Sequence, residues 1–167
     1  MKNLFLIAII VLGFSGVSFG VGPLVTGTSA ASATIMATLT IANSIPLNFG
    51  VISAGTLAST VSIGGLDVRN VATGDAALLS FGAPAKTGVF AITGTPNAAF
   101  SITVPAGPVA LTGTTMTITG FTSDLGTTST LSATGTQTLK VGGILNVGIN
   151  QAAGTFSGNY DVTVNYN

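Results

Sequence analysis

The sequence lacks several residue types on which protein chemistry depends. It has no cysteine, histidine or tryptophan, and no glutamate can be found in it. Disulfides, Ser–His–Asp and Cys–His triads, and zinc sites with His or Cys ligands are therefore excluded. The four aspartates are scattered singly among turn residues, where Asp is usually solvated. We therefore predict that the protein is not an enzyme and needs no metal or cofactor.

Charge is also scarce, because only 5% of the residues are Asp, Glu, Lys or Arg. Average proteins have about a quarter. Four basic residues form no patch that could neutralise phosphates, so the composition argues against a nucleic-acid partner. The surface must instead be covered by Thr, Ser, Asn and Gly. Such a surface tolerates close neighbours, as in a polymer or a packed layer, and it would also suit harsh or salty surroundings.

The N-terminal residues have the pattern of a secretory signal peptide. Lys2 precedes a long uncharged apolar run, and small residues follow at Ser18 and Gly20. The run is short for a transmembrane anchor, which needs about 20 apolar residues. We therefore predict a signal peptide over 1–20, a secreted protein at the cell surface, and no membrane span after cleavage. Residues 21–32 are predicted to be a flexible N-terminal segment.

The rest of the chain has the short alternating runs of β-strands, rich in Val, Ile, Thr and Phe and spaced about ten residues apart. This spacing predicts an all-β fold, an immunoglobulin-like β-sandwich. The predicted strands are 33–42, 46–53, 59–64, 67–71, 88–94, 99–105, 115–122, 138–143, 144–150 and 159–166. The pairs Gly64–Gly65 and Gly142–Gly143 are predicted to be turns. Residues 122–136 suggest a long hairpin, and 74–88 either a helical turn or a short strand.

Two charged residues, Asp67 and Arg69, are two positions apart and share one face if they lie in a strand. The pattern predicts a surface ion pair of little energetic value.

The first and last predicted strands have the same alternating pattern. In 33–42 the apolar face holds Ile35, Ala37, Leu39 and Ile41, and in 159–166 it holds Tyr160, Val162, Val164 and Tyr166. A sandwich that is one strand short leaves an apolar groove open, which an extended segment of a neighbour can fill by strand addition.

The C-terminal residues resemble a signature of bacterial chaperone–usher pilins. Tyr166 is penultimate, Val164, Val162 and Tyr160 are fourth, sixth and eighth from the end, and Gly154 is fourteenth. The segment LKVGGILNVGINQAAGTFSGNYDVTVNYN, with LNFG (47–50) and FAITG (90–94), also resembles a disulfide-free, Gly/Thr-rich group of uncharacterised secreted pilin-like domains.

The resemblance implies a structural subunit of an extracellular filament, a pilus or fimbria, that polymerises head-to-tail by donor-strand exchange. Residues 33–42 would be the donor strand, inserting Ile35, Ala37, Leu39 and Ile41. Residues 43–167 would form the pilin-like sandwich, whose acceptor groove is lined by the stretch from Gly154 to Tyr166. The implied partners are copies of the chain, a periplasmic chaperone and an outer-membrane usher.

Three alternatives stay open at this point. Residues 23–30 could be the inserted segment, with 33–42 as the domain's own first strand. The protein could be a self-complemented monomeric or layer-forming surface protein. A carbohydrate-binding adhesin domain is weakly supported, because both tyrosines lie in the last strand and no tryptophan exists.

Overall fold

The structure is a computed structural model that describes residues 22–167. The predicted signal peptide, residues 1–20, lies outside the described residues. The chain divides into two units, of which the first is described over residues 22–34 and the second spans Ile35–Asn167. In the first unit, residues 22–34 have no regular secondary structure and are exposed to solvent. The second unit contains every strand found in residues 22–167.

The second unit is built from twelve strands, and every pairing between them is antiparallel. The strands are β1 (Thr40–Ile45), β2 (Val51–Ser53), β3 (Ser59–Ile63), β4 (Arg69–Thr73), β5 (Ala77–Leu79), β6 (Gly88–Thr93), β7 (Ala99–Thr103), β8 (Val109–Ala110), β9 (Thr117–Ser123), β10 (Thr128–Thr130), β11 (Thr136–Val147) and β12 (Thr163–Tyr166). Residues 22–167 contain no helix, and so no helical membrane span is found among them.

Strand β11 is the central strand of a seven-stranded sheet. Its first half pairs with β6 and its second half with β3, while β9 runs along its other edge. Val141 pairs with both β6 and β9, and Leu145 pairs with both β3 and β9. Strands β6 and β3 therefore lie end to end along one edge of β11, and β1 and β4 pair with their outer edges.

Cross-strand rows of this sheet alternate between an aliphatic inner face and a hydroxyl-rich outer face, as the two-residue period of strands requires. One inner row consists of Val71, Val61, Leu145, Ile118 and Val109. The adjacent outer row consists of Thr73, Thr60, Asn146, Thr117 and Ala110. A slip of one residue would exchange the two faces, so burial of the inner row fixes the register.

A three-stranded sheet, in the order β10-β7-β12, covers part of the inner face. Phe100 and Ile102 of β7 belong to the same buried core as Ile92 and Leu139 of the large sheet. Packing of two antiparallel sheets around one core makes the domain a β-sandwich. The prediction of an all-β sandwich fold is confirmed, and completion by a neighbour's strand stays a prediction.

Several predicted boundaries are wrong. The predicted strands 138–143 and 144–150 are one strand, β11, and Gly142 and Gly143 lie within it rather than in a turn. A Cβ at Gly142 would meet the carbonyl oxygen of Ile63, and a bulge against β9 lies between Gly142 and Ile144. The glycine pair therefore serves close backbone approach and a bulge, two other reasons for glycine in a strand.

The first and last strands are shorter than predicted. Strand β1 spans 40–45 instead of 33–42, and β12 spans 163–166 instead of 159–166. Residues 77–79 form a short strand, β5, one of the two options for that region. Strands β8 and β10 are two and three residues long, too short for alternation to reveal.

The predicted ion pair between Asp67 and Arg69 is also wrong. Asp67 accepts hydrogen bonds from the backbone N–H and the hydroxyl of buried Thr87, at 2.8 and 2.7 Å, and pairs with Lys86 at 3.0 Å. These bonds, above all the one from the Thr87 N–H, hold the pKa of Asp67 well below its usual range. Asp67 therefore fastens the β3–β4 turn to the start of β6.

The Arg69 guanidinium instead donates to three backbone carbonyl oxygens. They belong to Phe49 (2.9 Å), Val51 (2.9 Å) and Leu79 (2.8 Å). The planar fork of an arginine can reach several acceptors at once. Arg69 thereby joins β4 to the two-stranded β2–β5 sheet.

Candidate functional site

The last strand, β12, is an edge strand of the three-stranded sheet. It pairs with β7 on one side, and no other strand of the described chain pairs with it. The first strand, β1, is an edge of the large sheet in the same sense, since it pairs with β6 alone. Because β1 and β12 contact each other, these two edges lie at the same side of the sandwich. Edge strands carry unpaired backbone groups that can accept another strand.

The inner faces of these edge strands are apolar and incompletely covered. Val164 lies opposite buried Ile102, and Tyr166 lies opposite buried Phe100. Val162, just before β12, has the same inward position. All three side chains of this C-terminal set pack against the core but are only half-buried.

The Tyr166 hydroxyl binds the segment that leads into β1. It accepts a hydrogen bond from the Thr95 N–H (2.7 Å) and donates one to the carbonyl oxygen of Ala37 (2.9 Å). The Ala37 N–H in turn donates to the Thr95 hydroxyl (2.7 Å). Tyr166 of the last strand and Thr95 of the β6–β7 turn thus both bind Ala37 of the N-terminal segment, and we call this pair of residues the clasp.

The four predicted donor residues are placed differently from one another. Ile35 is 90% exposed, whereas Ala37 is held by the clasp. Leu39 is half-buried, and its side chain lies beside Gly94. Ile41 is half-buried within β1, opposite Ile92 of β6. The structure therefore brings the second half of 33–42 onto the domain's own core and leaves Ile35 in solvent.

Tyr160, the first apolar residue of the predicted final strand, lies outside β12. Its ring packs against Phe121, with centroids 5.0 Å apart, and edge-on against Phe90 at 6.2 Å. Its hydroxyl occupies the position that a Cβ of Gly88 would take, and it is buried with no hydrogen-bond partner among residues 22–167. Burial raises the pKa of Tyr160 to about 12.

Gly154 does not line the edge of a strand. It is exposed in the irregular segment between β11 and β12, and the atoms nearest to a Cβ there would be those of the Phe156 ring. Of the predicted acceptor residues, Val162, Val164 and Tyr166 therefore lie together beside β7, while Tyr160 packs deeper and Gly154 lies apart.

Sequence reasoning missed Thr95. It lies in the turn TGTPN, where threonine is unremarkable, and its role depends on contacts with residues 58 and 71 positions away. The alternation of the last strand marked Tyr166 but could not identify the groups that its hydroxyl binds.

Within residues 22–167, no cluster of three or more Asp side chains, the one acidic type present, could hold a metal ion. Asp75, like Asp67, is used by the fold, since it accepts bonds from Thr56 and Leu57. These bonds, first that from the Leu57 N–H, lower the pKa of Asp75. An apolar, edge-bounded site of this kind is suited to holding an extended chain.

The comparisons with known proteins place the chain in one family. Curated proteins and solved structures gave no match. A family model described as "Domain of unknown function (DUF4402)" matches residues 39–166, from just before β1 to the end of β12. Since the match spans more than half of the 167 residues, the chain belongs to the DUF4402 family.

Proposed function

We propose that the protein is a structural subunit of an extracellular filament, which polymerises head-to-tail by donor-strand exchange. The observation that carries the proposal is the pair of edge strands β1 and β12, at one side of the sandwich, with half-buried apolar residues between unpaired backbones. The pattern of Ile35, Ala37 and Leu39, and the resemblance to chaperone–usher pilins, support the same conclusion.

The contacts of the segment before β1 can be made within a chain or between chains. In the single chain, Ala37 binds the clasp and Leu39 packs beside Gly94. A neighbour's segment can make the same contacts at no enthalpic cost, as in domain swapping. When the segment of each subunit occupies the clasp of the next subunit, one segment and one clasp stay free at the two ends, and the contact repeats into a filament.

Secretion and surface localisation belong to this proposal. The sparsely charged surface and the predicted signal peptide at 1–20 support export, after which a chaperone and an usher would protect and order the subunits. A filament assembled by strand exchange needs no catalytic residue, so the proposal also includes that the protein is not an enzyme.

A second candidate is a self-complemented surface protein, in which the segment closes its own domain. The pairing of β1 with β6 of the same chain, and the clasp on Ala37, favour it. The two candidates differ only in which copy of the chain supplies the segment.

A cysteine pair distinguishes them, because the chain has no cysteine of its own. The variant Ala37→Cys with Thr95→Cys joins two residues already in hydrogen-bond contact. Protein sheared from the surface of its native cell is oxidised, boiled and run on a non-reducing gel. Exchange between subunits predicts a covalent ladder that collapses with reductant. A disulfide found only within monomers would support self-complementation and contradict polymerisation by donor-strand exchange.

Negative-stain electron microscopy of the same material tests for the filament itself. Leu39→Asp should abolish filaments because it puts a charge against the apolar core, whereas Thr38→Asp, exposed on the opposite face, should preserve them. Filaments that persist in Leu39→Asp would contradict the assigned donor segment.

A further inference from the structure

An open hollow lies where β7 and the segment that leads into β12 separate. The last paired residues at this end of the two strands are Thr103 and Thr163. The hollow lies beyond this pair, between residues 104–106 and 159–161, and has a volume of about 380 Å³. Small-molecule sites in proteins usually have about 300–1,000 Å³. The clasp is at the other end of β12, beside Tyr166, so the hollow is apart from it.

The apolar part of the lining is held in place by the fold. It consists of Val104, Pro105, Val109 and Tyr160. The ring of Tyr160 packs against that of Phe121, with centroids 5.0 Å apart, and a proline ring fixes its own backbone φ. Walls that are already ordered lower the entropic cost of binding.

The polar part of the lining has hydrogen-bonding groups that the fold does not use. Its members are exposed residues of β7, of β12 and of the segment before β12, namely Thr103, Asn159, Asp161 and Thr163. Their side chains make no hydrogen bond with any group of residues 22–167. One carboxylate, one amide and two hydroxyls at the same hollow are therefore free to bind a ligand.

Asp161 differs from the other aspartates of the chain. Asp67 and Asp75 accept hydrogen bonds within the fold, and Asp124 accepts one from the Lys140 N–H at 2.8 Å. Among residues 22–167, Asp161 alone is an aspartate whose carboxylate accepts no hydrogen bond from the fold. A carboxylate forms stronger hydrogen bonds than a neutral acceptor, so Asp161 is the residue of the hollow best suited to fix a ligand.

We propose that the hollow binds a neutral sugar ring, as one unit of a glycan. The ligand must donate to a carboxylate, which only accepts, and exchange hydrogen bonds with an amide and hydroxyls, which do both. Sugar hydroxyls also do both, and the C–H groups of the ring can pack on the apolar walls. The negative charge of Asp161 disfavours an anion. One carboxylate is also a poor basis for Ca²⁺, which takes six to eight oxygen ligands.

A second hollow continues the first on the other side of β7. It has a volume of about 670 Å³ and shares Thr103 and Val104 with the first hollow. Its lining includes the exposed threonines Thr122, Thr127 and Thr128. A glycan of several units can therefore extend past Thr103 from one hollow into the other, so binding should strengthen with the length of the glycan.

Binding of the full processed chain to an array of neutral oligosaccharides tests the site. The array contains glucose, galactose, mannose and N-acetylglucosamine series of increasing length, and we expect retention on at least one series. Asp161→Asn should weaken this binding by at least about tenfold, because it removes a hydrogen bond to a charged group, and Asn159→Ala should weaken it as well. Asn165→Ala is the matched control, since Asn165 is an exposed residue of β12 outside both hollows.

Three results would overturn the sugar site. One is the absence of binding to every series, and another is binding that both variants retain, which would place the glycan elsewhere. The third is a calorimetric titration in which calcium chloride binds the wild type but not Asp161→Asn while no glycan binds, which would assign the hollow to a cation. The array needs no filament, and the cysteine pair at residues 37 and 95 reports strand exchange separately, so either proposal can fail alone.

Discussion

The hydroxyls of the two tyrosines differ in their hydrogen bonding. Replacing each tyrosine with phenylalanine tests the contacts made by the C-terminal residues. The Tyr166 hydroxyl makes two hydrogen bonds in the clasp, whereas the Tyr160 hydroxyl is buried with none. The chain has no other tyrosine. Each substitution removes a single oxygen and keeps the ring, so Tyr160→Phe is the matched control for Tyr166→Phe.

The expected effects differ in sign. Tyr166→Phe removes bonds to the Thr95 N–H and the Ala37 carbonyl, each worth about 0.5–1.5 kcal/mol. Ala37 is exposed, so its carbonyl regains water, and the free energy of unfolding should fall by about 1–2 kcal/mol. Tyr160→Phe removes a buried hydroxyl whose desolvation is not repaid, so the free energy of unfolding should stay equal or rise by up to about 1 kcal/mol.

Urea unfolding of the full processed chain, followed by circular dichroism, gives both values, and equal slopes against urea confirm that the variants compare stability alone. An equal loss of stability in the two variants would refute the assignment of the clasp. The pH titration of tyrosinate absorbance checks the same geometry, since burial should delay ionisation of Tyr160 to pH about 12.

Other parts of the fold give equally direct tests. The pKa of Asp67 is depressed in the folded state, so its contribution to the free energy of unfolding is complete above about pH 4 and declines as the pH falls below that value. The urea midpoint should therefore drop less between pH 6 and pH 3 in Asp67→Asn than in the wild type. An equal drop in both would contradict the hydrogen bonds from Thr87. Arg69→Met leaves three backbone carbonyls without their donor, and it should lower the free energy of unfolding by about 2–4 kcal/mol. Amide hydrogen exchange in β2 and β5 should become faster. Unchanged exchange there would show that Arg69 does not join β4 to the β2–β5 sheet. Gly142→Ala forces a Cβ against the backbone next to β3, and it should lower the free energy of unfolding by about 1–3 kcal/mol. In Gly107→Ala the added Cβ meets nothing within 4 Å, so the free energy of unfolding should change by less than about 0.5 kcal/mol.

The all-β class of the fold was predictable because strand alternation is a local property. Thr60 and Val61, or Asn146 and Leu145, alternate in the sequence in the same way as they alternate between the two faces of the sheet. Where alternation was interrupted by glycine, the prediction failed. A pair such as Gly142–Gly143 has the composition of a turn, and only the approach of the Ile63 carbonyl shows why two glycines lie inside a strand.

The candidate site was predictable in its apolar residues and not in its polar ones. Val162, Val164 and Tyr166 were identified from their period of two, and they lie together beside β7. Thr95, and the hydrogen bonds that hold Ala37, could not be identified, because a hydrogen bond between residues far apart in the sequence leaves no local pattern. The pairing of Ile41 with Ile92 of the same chain could not be predicted either. Alternation does not show whether a strand pairs within its own domain or with another.

The sequence alone determined the fold class, the low charge and the absence of cysteine, histidine and glutamate, because composition and short-range period are written directly in the chain. Only the tertiary structure decided that Arg69 binds carbonyls and not Asp67, that β11 joins two halves of one sheet, and that Tyr166 reaches Ala37. Each of these depends on a long-range register, which is fixed by burial of the whole inner face at once and not by any segment taken by itself.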